Sequence, residues 1–156
     1  MENLKDKTAI VGIGLTPCMK QSGVSVLTLA TQAIAHAIED AGLTPQDIDG
    51  ICTYNTSDSL SPQQVASAMG IPELRWSADY VGGGFSSNNC VLTAAAMVHS
   101  KVCNYAVVYR AMNGRSGFRI GGLGNIPGQR PLARGGSQFN APFGIGTPPH
   151  GFAMKA

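Results

Sequence analysis

The chain has 156 residues, an apolar content of 44% and a formal net charge of +2. This length and composition suit one globular domain with a buried core. No apolar run reaches the length of a membrane span, and residues 1–5 lack the apolar core of a secretory signal. We therefore expect a cytoplasmic protein with no membrane span.

Acidic side chains are confined to the first half of the chain. Residues 1–79 hold all nine acids, whereas residues 80–156 hold seven bases and no acid. Such a basic half needs an anionic ligand or an acidic partner surface. Its arginines lie among glycine and proline with a single aromatic residue, Phe118, between them, which does not favour nucleic acid. A phosphorylated small molecule is the expected ligand.

The four cysteines form no metal-binding pattern. Cys18, Cys52, Cys90 and Cys103 contain no CxxC pair and have no ligand spacing with the three histidines. Three of them lie in or beside apolar runs, so we expect reduced thiols and no metal site.

The apolar pattern predicts strands that alternate with helices. Ser61, Pro62 and Gln64 form an N-terminal helix signature, with a capping serine, proline at the first helical position and glutamine three residues after the cap. Alternating elements indicate an α/β fold with a mixed, mainly parallel sheet and helices on both faces. In chain order we predict a buried strand at 7–14, a helix at 25–41 ended by Gly42, a strand at 49–54, a short helix at 61–70, a strand at 76–81, an apolar helix, and a strand at 104–110.

The apolar helix follows a turn of three glycines, Gly82 to Gly84. Residues 91–98 of this helix are almost all apolar or small, which predicts a helix buried in the middle of a larger body. The positive end of its dipole then lies inside the protein. We expect Ser86, Ser87 and Asn88 to cap this end.

Residues 111–151 contain 16 glycines and prolines among 41 residues and show no hydrophobic periodicity. Such a segment is typical of a functional loop region or of the unfinished end of a fragment. We therefore divide the chain into a βαβ core at 1–112 and an incomplete Gly/Pro/Arg-rich loop region at 113–156.

Four motifs together resemble the thiolase superfamily. They are KTAIVGIG, DAGLTPQDIDGI, the GGG turn with its small-residue helix, and VVYRAMNGRSGFRIGG. The run YRAMNGRSG resembles in particular the sterol-carrier-protein-type thiolases and the lipid-transfer-protein aldolases. The resemblance implies the N-terminal half of an α-β-α-β-α sandwich, with a mainly parallel mixed sheet and a buried central helix.

The resemblance also bears on the nucleophile. Thiolases carry a reactive cysteine just before the buried helix, and in this chain that position falls on Gly84. Lipid-transfer aldolases likewise lack the cysteine. The resemblance to them implies that this chain takes part in retro-aldol cleavage of a β-hydroxyacyl-CoA in lipid or steroid side-chain degradation, together with residues of a C-terminal half and an OB-fold partner. One alternative is an acyltransferase that uses Cys90, six residues later, although packing in the core is the favoured role for that thiol. Another is a non-catalytic half that needs a partner chain.

The resemblance implies a coenzyme A thioester as substrate and no bound cofactor. The N–H groups of Gly83, Gly84 and Phe85 are candidates for an oxyanion hole, although a tight turn alone would also explain the glycines. His150 is a weaker catalytic candidate. Five residues are candidates for binding the CoA phosphates, against the alternative of a solvated loop or a subunit contact: Arg115, Ser116, Arg119, Arg130 and Arg134.

Other polar residues are expected to have structural roles. Arg110 and Asn113 should organise the loop or a dimer contact, His36 lies on a solvated helix face, and His99 meets the negative end of a helix. A half-sandwich exposes an apolar face, which drives association. We therefore expect a homo-oligomer, or a complex with a second thiolase-like half or an OB-fold partner.

Overall fold

A computed structural model describes residues 4–56, 58–114, 139, 141–143 and 148–154. The chain divides into two compact units, Met1–Gly117 and Phe118–Ala156. In the first unit the elements are α1 (Val26–Asp40), β1 (Gly50–Asn55), α2 (Pro62–Met69), β2 (Trp76–Val81), α3 (Ser86–His99) and β3 (Ala106–Tyr109), with a 3-10 turn at Pro45–Asp47. In the second unit a 3-10 turn at Ala141–Phe143 precedes a short helix, α4 (Pro148–Ala153).

The described strands form one parallel sheet in the order β2-β1-β3. Cys52 on the central strand is in register with Ala78 of β2 and with Val108 of β3. The second, third and fourth predicted strands are confirmed. Because consecutive strands of this sheet are parallel, each connection must cross over through a helix, which is the α/β pattern that the sequence predicts.

Helices cover both faces of the sheet. Ile51 of β1 is fully buried in a cluster with Ile34 of α1 and Val65 of α2. The next residue, Cys52, contacts Cys90 of α3. Successive strand residues point to opposite faces, so α1 and α2 lie on one face and α3 on the other.

The predicted helix ends of α1 and α2 are confirmed. The Ser25 hydroxyl accepts a hydrogen bond from the Thr28 N–H at 3.1 Å, and α1 is followed by Gly42 at φ 67°. Ser61 and Gln64 form the reciprocal capping box of α2, and Gly70 ends this helix at φ 69°. Glycine suits both stops because it adopts positive φ without steric cost.

The predicted first strand is wrong for this chain. Residues 8–19 carry no strand, and the side chains of Ile10, Val11, Ile13 and Leu15 are exposed. The segment lies against α1 instead. At Gly12 and Gly14 its backbone is so close to the backbone of that helix that a Cβ atom would not fit. The Ile13 N–H also donates to the Asp40 carboxylate at 2.9 Å. With its backbone pressed onto α1, the segment keeps its apolar side chains at the surface.

The α3 helix is less buried than its composition predicts. Ser86, Cys90 and Ala94 are buried against the sheet, but Leu92 is 62% exposed. Among the described residues none covers this outer face. The helix is therefore more apolar than its exposure to solvent would require. The predicted caps are also wrong. The N-cap is Phe85, without a side-chain bond, and Ser87 donates its hydroxyl to the Gly84 carbonyl at 2.8 Å.

Asp49 ties together the starts of all three strands. Its carboxylate accepts hydrogen bonds from the Tyr105 N–H at 2.9 Å and from the backbone and side chain of Asn104, the closest at 2.8 Å. Its backbone carbonyl accepts from the Arg75 N–H at 2.8 Å. Hydrogen bonds to a charged acceptor contribute more to stability than bonds between neutral groups. Asp49 therefore sets where β2 and β3 begin relative to β1.

We predict that Asp49→Ala lowers the free energy of unfolding by about 2–3 kcal/mol, because several N–H donors lose a charged acceptor. Urea unfolding followed by circular dichroism measures the loss. Glu73→Ala, at an exposed site between α2 and β2, is the matched control and should change stability by less than about 0.5 kcal/mol. Equal losses in the two variants would contradict the role of Asp49.

Candidate active site

The candidate site lies where the parallel strands end. β1, β2 and β3 end at Asn55, Val81 and Tyr109, which lie at one edge of the sheet because the strands run in the same direction. Ligands of open α/β sheets bind outside the carboxyl ends of the strands. The glycine turn between β2 and α3 is at this edge, and the Gly82 N–H donates to the Asn55 carbonyl at 3.2 Å.

The fold explains one of the three glycines in this turn. A Cβ at Gly82 would collide with the side chain of buried Ser86, whereas a Cβ at Gly83 or Gly84 would meet nothing within 4 Å. Positive φ occurs elsewhere in the described glycines, at positions 23, 42 and 70. Neither packing nor backbone conformation therefore requires glycine at 83 or 84. Their missing side chains leave the backbone open to whatever approaches from solvent.

The turn presents N–H groups at the start of α3. Ser86 and Ser87 donate their N–H groups back to the carbonyls of Gly83 and Gly84. Within the described part of the chain, no acceptor is recorded for the N–H groups of Gly83, Gly84 and Phe85. Together with the positive end of the helix dipole, these N–H groups can bind an oxyanion. The nearby side chains of Val81 and Phe85 are 86% and 70% exposed, so the surroundings are apolar.

Cys90 lies away from this turn, in the interior. The residue is fully buried on the sheet side of α3 and contacts Cys52. Burial and the neighbouring Cys90 thiol raise the pKa of Cys52 far above the usual thiol range. A nucleophilic thiolate needs the opposite environment, with positive charge and access to solvent. All four cysteines are described, and none forms a disulfide.

Arg110 is fixed at the end of β3 by three contacts. Its guanidinium forms an ion pair with the buried carboxylate of Asp58, lies 5.0 Å from the centre of the Tyr54 ring, and donates to the Ala111 carbonyl at 3.0 Å. Asn113 donates its side-chain amide to the Val24 carbonyl at 2.9 Å. Both residues organise the loop after β3, as predicted. Sequence reasoning missed Asp58, since nothing local links it to a partner 52 residues away.

Three histidines lie in the described residues. The Nδ1 atom of His36 hydrogen-bonds the Leu15 carbonyl at 3.0 Å, so this histidine holds the segment that precedes α1. His99 is in the last turn of α3. His150 is exposed on α4, in the second unit.

The predicted CoA-binding residues lie outside the described residues: Arg115, Ser116, Arg119, Arg130 and Arg134. The described ranges contain no cluster of three or more side chains suited to a metal ion. Within the same ranges, no helix combines the length and the hydropathy that crossing a bilayer would take.

We predict that Gly82→Ala and Gly83→Ala differ in stability although the two residues are adjacent. The first variant forces buried Ser86 to move and should lower the free energy of unfolding by about 1 kcal/mol or more, whereas the second should cost less than about 0.5 kcal/mol. Thermal unfolding of both variants checks the difference. Equal destabilisation would mean that both glycines are needed by the fold.

The Asp58–Arg110 pair predicts a pH-dependent stability. Burial alone would raise the pKa of Asp58, but hydrogen bonds from Arg110 and from the Thr56 N–H outweigh this effect, so its pKa is lowered. Because the pKa of Asp58 is lower in the folded state, its carboxylate stabilises the fold fully at pH values above the unfolded-state pKa of about 3.9. This stabilisation is lost as the pH falls through the folded-state pKa.

Asp58→Asn should therefore destabilise the protein by about 2 kcal/mol at pH 7, and by much less at pH 2. Urea unfolding at both pH values gives the two differences. Glu39→Gln, at an exposed site on α1, should show a small and nearly constant difference. If Asp58→Asn lowers the free energy of unfolding as much at pH 2 as at pH 7, the ion pair is not the source of the loss.

Comparison with known proteins agrees with this fold. No protein-family model matches the chain. The chain is 40% identical over 154 residues to 17-hydroxy-3-oxo-4-pregnene-20-carboxyl-CoA lyase of Mycobacterium tuberculosis, which is 98% of this chain and 40% of the lyase. The chain thus spans about two fifths of the length of its curated relatives.

Two solved structures share the fold. An Ltp2-ChsH2 aldolase superposes with a TM-score of 0.67 at 43% identity, over 74% of this chain and 30% of that one. A monomeric SCP2-thiolase-like protein of Mycobacterium smegmatis superposes with a TM-score of 0.53 at 23% identity, over 64% of this chain and 22% of that one, which supports the fold alone. The resemblance predicted from the sequence is confirmed: the chain is thiolase-like and, over the part that it spans, it is similar to aldolases of the lipid-transfer type.

Proposed function

We propose that this chain is the thiolase-like part of an acyl-CoA lyase that cleaves a carbon–carbon bond by retro-aldol chemistry. The observation that carries the proposal is the glycine turn, where Gly83 and Gly84 leave backbone N–H groups open at the start of α3. The cysteine in the same helix, Cys90, is fully buried. The site therefore offers an oxyanion hole without an adjacent nucleophile.

The reaction that fits such a site starts from a β-hydroxyacyl-CoA. A base removes the hydroxyl proton, the oxygen forms a carbonyl, and the bond to the α-carbon breaks. Its electron pair passes to the thioester as an enolate, which a proton then converts to the shorter acyl-CoA. No electron acceptor is needed, because one carbon is oxidised as the other is reduced. The steroid thioester for which the lyase of M. tuberculosis is named is a 17-hydroxy compound and so carries a hydroxyl of this kind.

The enolate oxygen is where the glycine turn contributes. Negative charge develops on this oxygen as the bond breaks, and fixed N–H donors stabilise it more than they stabilise the uncharged thioester. Loss of one such donor typically costs about 10²–10³-fold in turnover. The open backbone at Gly83 and Gly84 supplies donors that no side chain obstructs.

Other groups must bind the CoA phosphates and move the proton. For the phosphates we propose Arg115, Ser116, Arg119, Arg130 and Arg134. The hydroxyls of Tyr80 and Tyr109 donate to Thr93 and to the Leu60 carbonyl, and burial raises the pKa of Tyr109, so neither suits a general base. We propose to test His150 for this role, together with residues supplied by the rest of the enzyme.

A partner-dependent subunit is the second candidate. The outer face of α3 exposes Leu92 and Val91, and Phe85 extends the same apolar surface at its start. Exposed apolar surface of this kind is typical of an interface. A second thiolase-like half, a second copy of this chain or an OB-fold chain could cover it. The similar Ltp2-ChsH2 aldolase is itself named for two components.

We predict opposite effects for Cys90→Ala and Gly84→Val on lyase activity. Cys90→Ala should cost about 1 kcal/mol of stability and leave turnover within about twofold, since the thiol only packs. Gly84→Val places a branched side chain over the open N–H groups and should lower turnover by at least about 10²-fold. Chromatography of the ketone and the short acyl-CoA formed from 17-hydroxy-3-oxo-4-pregnene-20-carboxyl-CoA measures both.

The outcomes separate the candidates. A folded Cys90→Ala variant with no turnover would establish a thiolase-type nucleophile and reject the lyase proposal. Binding of the thioester by the wild-type chain without turnover would favour the partner-dependent subunit. Neither binding nor turnover would reject both. Circular dichroism of Gly84→Val shows whether its loss of activity occurs in a folded protein.

A further inference from the structure

Tyr54 carries a hydroxyl group that no hydrogen bond uses. It is the last residue but one of β1, and it is partly buried. The hydroxyls of Tyr80 and Tyr109 both donate to a partner, whereas none is recorded for the hydroxyl of Tyr54 within the described residues. This oxygen is also not one of the described polar atoms that are buried without a partner, so it reaches the surface. The Tyr54 hydroxyl is therefore open to a ligand.

The Tyr54 side chain lies on the α3 side of the sheet. Alternate residues of a strand point to the same face, and Tyr54 is two residues after Cys52. Cys52 contacts Cys90 of α3. Tyr80 of β2 is in register with Tyr54, and its hydroxyl bonds to Thr93 of α3. Both tyrosines thus extend from the sheet towards this helix.

The glycine turn begins beside Tyr54. The Gly82 N–H donates to the carbonyl of the residue that follows Tyr54. Ser86 is one turn before Cys90 on α3, which is about 6 Å closer to the glycine turn. Tyr54 is two residues after Cys52 on β1, which is about 6.6 Å closer to the same edge. Tyr54 therefore lies below the first turn of α3, where the N–H groups are open.

Arg110 holds the ring of Tyr54 in place. Its guanidinium lies 5.0 Å from the centre of the ring, and a cation over an aromatic face is attracted to it. The guanidinium is itself fixed by the buried carboxylate of Asp58, which also accepts a hydrogen bond from the Thr56 N–H at 3.0 Å. The ring is thus kept in one orientation while its hydroxyl has no partner. A group held in this way by its neighbours is preorganised for catalysis.

We propose that Tyr54 is a catalytic residue of the retro-aldol reaction, and that its hydroxyl supplies the proton that converts the enolate to the shorter acyl-CoA. This inference rests on the proposed function. In that function the thioester oxygen lies at the N–H groups of the glycine turn. The α-carbon is bonded directly to the thioester carbon, so a proton donor beside the turn can reach it. A phenol carries a proton at neutral pH and can act as a general acid.

The proposed step balances in protons and electrons. A base takes the proton of the β-hydroxyl, and the electron pair of the breaking carbon–carbon bond moves into the thioester as an enolate. The O–H bond of Tyr54 then breaks as a C–H bond forms at the α-carbon. The phenolate recovers a proton from water, and the base returns its proton to water. No oxidant or reductant takes part.

Exchange of α-hydrogens tests Tyr54 without the cleavage step. The reverse of the proton transfer removes an α-hydrogen from a short acyl-CoA, so the native chain in heavy water should introduce deuterium into propionyl-CoA. Mass spectrometry of the thioester measures the rate. Tyr54→Phe removes only the hydroxyl and should slow the exchange by at least about 10²-fold, which is the usual contribution of a general acid. The melting temperature and the affinity for propionyl-CoA should stay the same, because the ring and its contact with Arg110 remain.

Tyr80→Phe is the matched control. Tyr80 lies on the same face in register with Tyr54, but its hydroxyl is bonded to Thr93. This variant should exchange α-hydrogens within about twofold of the native rate, since surface-distant changes of one hydroxyl rarely alter a site further. An equal loss of exchange in both variants would mean that the two hydroxyls act through the fold, and would overturn the inference.

The outcomes also separate this inference from the proposed function. Unchanged exchange in a folded Tyr54→Phe variant, with cleavage of the β-hydroxyacyl-CoA by the native chain, would reject Tyr54 and keep the lyase. Exchange that depends on Tyr54 without any cleavage would keep Tyr54 as the acid at the α-carbon and reject the lyase. If the native chain neither exchanges nor cleaves, both are rejected.

Discussion

The carboxylate of Asp49 is the constraint on which the sheet depends. It accepts hydrogen bonds from Asn104 and Tyr105 just before β3, while its backbone carbonyl accepts one from Arg75 just before β2. The starts of three parallel strands are thus aligned at one residue. Because the strands begin together, their carboxyl ends also meet, and this places the glycine turn and the loop after β3 at one edge.

Local signals in the sequence were sufficient for most of the elements. The helix ends depend on residues that are close in sequence: Ser61 and Gln64 cap the start of α2, and Gly42 and Gly70 follow the ends of α1 and α2. Their structural effect can therefore be read directly from the sequence. The first predicted strand failed for a different reason. The run around Ile10 has the composition of a buried strand, but composition does not reveal whether a neighbouring strand is available, and no described residue pairs with it. The partnership of Asp58 with Arg110 depends on tertiary structure in the same way.

The site could be predicted in part. The position of the glycine turn before α3 and the packing of Cys90 in the core could be predicted from the sequence, and the structure has both. The catalytic roles of these residues stay predictions. The separate contributions of the three glycines could not be read from the sequence, since they depend on Ser86 and on the space around the turn.

The contact of Gly12 and Gly14 with α1 means that backbone atoms hold the segment before α1 in place, while its side chains are left to form the surface. The segment is held through its backbone, by glycines that touch the helix and by the Ile13 N–H bond to Asp40. The side chains of Ile10, Val11 and Leu15 take no part in the core and face outward. Sequence change at these positions can therefore alter what binds this surface without loosening the segment. The glycines, by contrast, cannot vary without moving the whole segment away from α1.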